Sequence, residues 1–173
     1  MSHQGIVSAN CEMEEEVWLE ARLAQDDVNK RVAMINRAFQ MTRLQAVGFP
    51  YLVVAFCWHW RRFGILRHGL LHCAVDRCQG TSITMEQLPL GAPIADAELV
   101  QPRLDTGLLH QKAYRHVTQA RRHHLKQRQA TSLHVSSARL IRKPLWKVDV
   151  SHAKYGEMAL LLDGLTGGYY VMP

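Results

Sequence analysis

PLWKVDVSHAKYGEMALLLDGLTGG, residues 144 to 168, is the stretch from which the expected fold is built. Trp146, Val148 and Val150 alternate with Leu145, Lys147 and Asp149, so one face of an extended segment is apolar and the other mostly polar. After the polar break SHAKYGE, the apolar run Met158 to Leu162 is too short for a typical helix. It stops at Asp163, followed by Gly164, Thr166, Gly167 and Gly168, residues suited to tight turns. The pair reads as a hairpin. An earlier stretch shares the layout: Pro50 opens PYLVVAF, a polar loop follows, and LLHCAVD ends at Asp76 with Gly80 four residues on, as Gly167 lies four after Asp163.

Outward from these hairpins, the preceding segments read as helices. Val17, Ala21, Ala24, Val28, Val32, Ile35 and Phe39 form one stripe at spacings of three and four, with Glu12, Glu14, Glu15 and Glu16 at its positive end. Gly48 and Pro50 are expected to end that helical region. In the second half Leu109, Ala113, Val117, Ala120 and His124 make a similar stripe from about Asp105. Residues 132 to 141 alternate again, which suggests one more strand before Pro144. The loop WRRFGILRHG makes the first hairpin seven residues longer than the second and carries Arg61, Arg62, Arg67 and His68, so a protruding basic loop is expected.

These readings predict an α+β protein of two related helix-plus-antiparallel-hairpin units, an internal duplication packed as one compact body. Residues 1–80 form the first half, 81–104 a connector rich in proline with room for a short strand at Ser82 to Met85, and 105–173 the second half. Trp146 is expected beneath the Leu109, Ala113, Val117 stripe.

The second half resembles a PepSY-type domain over roughly residues 105–171, with a degenerate echo over 12–80. The residues that carry the resemblance are Trp146, Val148 and Val150, then Asp163, Thr166 and Gly167. The resemblance implies a helix packed on a hairpin and an inhibitory or regulatory module. Such domains usually lie outside the cytoplasm.

Composition points elsewhere. The N-terminal residues carry acids where a secretory signal needs a basic region, and no apolar run approaches the roughly 20 residues of a membrane span. Cys11, Cys57, Cys73 and Cys78 include no CxxC pair, so reduced thiols in a cytoplasmic protein are expected. The formal charge of +6 is uneven: residues 1–30 hold seven acids and two bases, and residues 101–150 eleven bases and two acids. That asymmetry suits either a polyanion or the docking of an acidic protein surface.

Three chemistries compete for these residues. Arg115, Arg121, Arg122, Lys126, Arg128, Arg142 and Lys143 would contact phosphates in a nucleic-acid-associated protein, with Tyr114 or Trp146 stacking on bases. Cys57, His59 and His72 would approach one another on paired strands as metal ligands, although their spacing matches no strong zinc signature. Buried thiols and ordinary histidines explain them as well. No nucleophile elbow, Walker loop or dinucleotide fingerprint occurs, and Asp76 and Asp163 suit turn aspartates better than an acid/base pair. The expectation is therefore a non-catalytic, cytoplasmic macromolecule-binding or regulatory/assembly protein without a cofactor. Its partner would be another protein or a second copy of itself. Nucleic-acid association is the first alternative and metal binding the second.

Overall fold

The computed structural model describes residues 16–124 and 133–172, with the backbone alone at 60–62 and 121–124. The elements run β1 (Val17–Leu19), a 3-10 turn (Gln25–Asp27), α1 (Val28–Ile35), β2 (Gln40–Arg62), β3 (Ile65–Asp76), β4 (Ser82–Met85), β5 (Leu90–Gly91), β6 (Glu98–Leu99), α2 (Thr106–His124), β7 (Leu133–His152), β8 (Gly156–Asp163) and β9 (Tyr169–Met172). The nine strands described form one mixed sheet. At its centre β2 and β7 pair antiparallel from Gln40↔Ser151 to Trp58↔Leu133, with irregularities at Met41/Arg43 and Ala55/Phe56. Beyond β2 lie β3 and then β4; beyond β7 lie β8 and then β9. Short β6 runs parallel to β2 at Val47 and Gly48, and short β1 parallel to β7 at Ile141 and Arg142.

Pro50 and Pro144 sit inside the two long strands instead of opening them. A proline has no N–H to give to a ladder, so within a sheet it needs a place where none is asked for. Pro50 lies where the outer side of β2 changes partner, from β6 at Gly48 to β3 at Tyr51. Pro144 lies where β7 passes from β1 at Arg142 to β8 at Leu145. Each proline carbonyl still accepts a hydrogen bond on that side, from Arg77 N–H at 3.1 Å and from Gly164 N–H at 3.0 Å.

Both helices cover the same sheet face. Val28 and Val32 of α1 pack on Ala46, Trp146, Val148, Val150, Leu160 and Leu162. Leu109, Ala113 and Val117 of α2 pack on Leu52, Val54, Phe56, Cys73 and Val75. On the opposite face Leu19, Val53, Ala74 and Ile141 form a smaller cluster with Met85, Leu88 and Leu165.

This arrangement overturns the α+β reading and the internal duplication drawn from it. The protein is predominantly β, and its strands share one sheet. Neither half is a unit: α1 precedes β2 but packs mainly on β7 and β8, while α2 precedes β7 but packs mainly on β2 and β3. Trp146 is accordingly buried under α1, not α2, and its indole N–H donates to the Leu23 carbonyl at 2.9 Å.

The N-terminal helical region, expected as one long helix or two in succession, is corrected too. Among the described residues the helix proper covers only Val28–Ile35. Asn36 ends it: its own N–H closes the last turn onto the Val32 carbonyl, and its side-chain oxygen accepts from Ala38 N–H at 2.9 Å. The following residues then pair with β7, and ladder bonds along a 23-residue strand outweigh a weak helical preference. The stripe misled because its members Val28, Val32, Ile35 and Phe39 do reach one core, through a helix and then a strand approach.

Candidate functional site

Past the Trp58↔Leu133 pair, β2 and β3 continue as a two-stranded arm, pairing His59↔His68, Trp60↔Arg67, Arg61↔Leu66 and Arg62↔Ile65. At about 3.3 Å per residue the arm reaches roughly 15 Å beyond the last described residue pair of β7. The expected loop at 60–69 is thus hydrogen-bonded strand almost to its apex. Phe63 and Gly64 close it, both with positive φ, 50° and 79°. Two such residues make the tight turn whose twist matches a hairpin. Phe63 is 90% exposed, and Ile65, Leu66 and Leu70 are each more than half exposed. At the arm's root Gly69 lies against the Trp58 ring so closely that a Cβ there would sit 2.5 Å from it.

The basic helix runs toward the same end. The chain enters α2 beside Arg77, whose carbonyl accepts from Arg103 and Leu104 N–H, and Tyr114 meets Phe56 with ring centroids 6.3 Å apart. Arg115 is exposed on that helix, and the backbone at Arg121 and Arg122 continues its last turns. Lys126 and Arg128 lie outside the described residues.

Arg142 and Lys143, grouped with these on sequence, are engaged elsewhere. Arg142 is buried; it donates to both Glu16 carboxylate oxygens, at 2.5 and 3.0 Å, and to the Gly48 and Val100 carbonyls at 3.2 and 2.6 Å. Arg77 stands 3.6 Å from the same carboxylate. Part of the sequence's charge asymmetry is therefore spent inside the molecule. Lys143 donates to Asp163 at 2.6 Å.

Asp163 also accepts from the N–H groups of Leu165 and Thr166, at 2.8 and 3.3 Å. Burial pushes its carboxyl up, but the hydrogen bonds from Lys143 and those two amides outweigh it and hold the group below its ordinary value. Asp76 makes the matching turn, accepting from Cys78 and Gln79 N–H at 2.6 and 3.1 Å. Gly80 and Gly167 close the two turns at φ 77° and 71°, a conformation that glycine adopts without strain. These aspartates hold backbone.

Of the proposed metal ligands, Cys57, His59 and His72 come from adjacent strands, with Cys57 opposite Leu70, His59 opposite His68 and His72 opposite Ala55. The Nδ1 of His72 is buried with no hydrogen-bond partner. His59 instead has two imidazole neighbours, His68 and His134, each at 6.4 Å between ring centroids. His134 joins through β7, a pairing no sequence spacing announces. Among the described residues no group of three or more His, Cys, Asp or Glu side chains is gathered to hold a metal ion. Cys73 lies in the α2 core, where burial pushes its thiol up to about 12, and burial followed by the charge of Asp76 raises Cys78.

The apolar character of the arm does not show in the sequence reading because Ile65 and Leu66 fall within the expected basic loop at 60–69. The flanks Trp60-Arg61-Arg62 and Ile65-Leu66-Arg67-His68 do not alternate, so periodicity announces no strand there. Comparison with known proteins returns no matching family model, no similar curated protein and no similar solved structure. The PepSY-type resemblance rests on its own few residues.

Proposed function

We propose that the chain is a non-catalytic macromolecule-binding protein whose contact surface is the arm end of the sheet. One observation carries this reading: Phe63, Ile65, Leu66 and Leu70 stand exposed on a projecting arm while the sheet behind them is covered by two helices. Apolar surface held in water forfeits about 25 cal/mol per Å², and where it is concentrated it marks an interaction site. Arg67 on the arm and Arg115 on α2 give this end positive character, which suits a negatively charged partner. Reactive groups elsewhere support the same reading: Asp76, Asp163, Arg142 and Lys143 hold the fold together, and the Cys73 thiol is buried. Cys57, Cys73 and Cys78 are free thiols, which supports a reducing, cytoplasmic setting. No helix among the described residues is long and apolar enough to cross a membrane.

A pull-down from cells of the native host, comparing the wild-type chain with Phe63→Asp/Leu66→Asp, tests the assignment. The captured material is expected to be lost with the variant. Unchanged capture would place the contact surface elsewhere on the molecule.

A further inference from the structure

We infer that the partner of the arm is a lipid bilayer bearing anionic headgroups, and that the apex inserts into its polar-apolar boundary. The inference rests on the arm as contact surface and adds the chemistry of what it contacts.

The apex is convex and narrow. Phe63 takes a positive φ of 50°, which non-glycine residues rarely adopt, so local strain is accepted at the one position that puts an aromatic ring at the tip. Behind it each cross-strand pair joins an apolar residue to a cation: Arg62↔Ile65, Arg61↔Leu66 and Trp60↔Arg67. Ile65 and Leu66 are successive in β3 and so stand on opposite faces, each more than half exposed, which puts apolar side chains on both faces of the arm. A groove on a protein partner would select one face. A bilayer surrounds the tip with the same medium on all sides.

The composition of the arm suits the depth profile of that medium. Phe63 leads, with Ile65 and Leu66 behind it. Arginine positions pair with these residues, Arg62 with Ile65 and Arg61 with Leu66, and Arg67 follows; an arginine's long stem lies in apolar surroundings while its head reaches phosphate level. The Trp60 and Trp58 positions come next along β2, and indole is a group that the headgroup layer favours. From the apex to Trp60 is about 10 Å at strand rise, the depth over which interfacial segments bury. Complementarity of charge selects anionic lipid.

Co-sedimentation of the full chain with vesicles of phosphatidylcholine alone, and of phosphatidylcholine mixed with phosphatidylglycerol, tests the inference. Binding is expected to the mixed vesicles, to weaken with added salt, and to be poor on neutral ones. Phe63→Asp/Leu66→Asp should reduce it about tenfold or more. Phe63 lies outside the core clusters, so an unchanged circular dichroism melt is expected of the variant; if it unfolds, Phe63→Ser is measured in its place. In Phe63→Trp the tip indole should shift to shorter wavelength on binding and be quenched by shallow brominated lipid. Equal binding by the aspartate variant, or loss with Arg67→Gln but none with Phe63→Asp, would mark a purely electrostatic polyanion site and overturn insertion. Absence of vesicle binding, with host capture still dependent on Phe63 and Leu66, would overturn the lipid and leave the arm as contact surface. Loss of both dependences would overturn the two readings together.

Discussion

Asp163 shows how a single side chain fixes a turn and makes its strength depend on pH. Its carboxylate accepts from two backbone amides and from Lys143, and these bonds hold its titration below the ordinary carboxyl value of about 4. A carboxyl lowered in the folded state binds fewer protons there than in the unfolded chain. Its contribution is therefore complete above about pH 4 and lost as pH falls through the lower folded value. Asp163→Asn keeps an acceptor but loses the charge, so it should cost about 1 kcal/mol at neutral pH, the pair being partly exposed. Urea midpoints taken from pH 7 downward should show a constant gap to wild type that closes below about pH 4. A gap that stays open in acid would mean the aspartate acts only as a neutral acceptor. At this scale the sequence was informative, because an aspartate four residues before a glycine states its turn chemistry locally. It was silent on Arg142, whose buried pairing with Glu16 joins residues far apart in the chain.

The elements were legible where periodicity and pairing agree, as in β8 and the latter part of β7, and illegible where pairing overrides propensity. Residues 40–49 carry Gln, Met, Leu and Ala, acceptable in a helix, yet they lie in β2 because β7 offers a complete ladder. The arm is the converse case: its own pairing makes it a strand, although Arg61, Arg62 and Arg67 read as loop. It packs little against the core, so excising residues 60–67 and joining His59 to His68 through a two-residue Asn-Gly turn should leave stability within about 1 kcal/mol of wild type, the range of surface changes. Calorimetry of the shortened chain checks this. A fall of several kcal/mol would show that the arm supports the sheet and is not an appendage available for contact.

At the scale of the molecule, the crossing of helices and hairpins makes the two ends of the sheet one structure. Trp146 lies at the α1 end with 2% of its surface exposed, and Cys73 at the α2 end is fully buried. No side chain of one core cluster belongs to the other, but β2 and β7 run continuously through both. If the sheet unfolds as a whole, damage at one end must lower protection at the other by the same free energy. Trp146→Ala removes a large buried aromatic and its hydrogen bond to Leu23, a change that typically costs about 3 to 5 kcal/mol. In a chain with Cys11, Cys57 and Cys78 replaced by serine, Cys73 reports on its own end through alkylation, since a buried thiol raised to about 12 reacts only when exposed. Alkylation of Cys73 should then quicken by roughly a hundredfold or more in the Trp146→Ala chain, the factor that such an energy implies. Unchanged labelling, with the variant's tryptophan fluorescence melting early, would show that each end opens independently and that the central strand pair does not couple them.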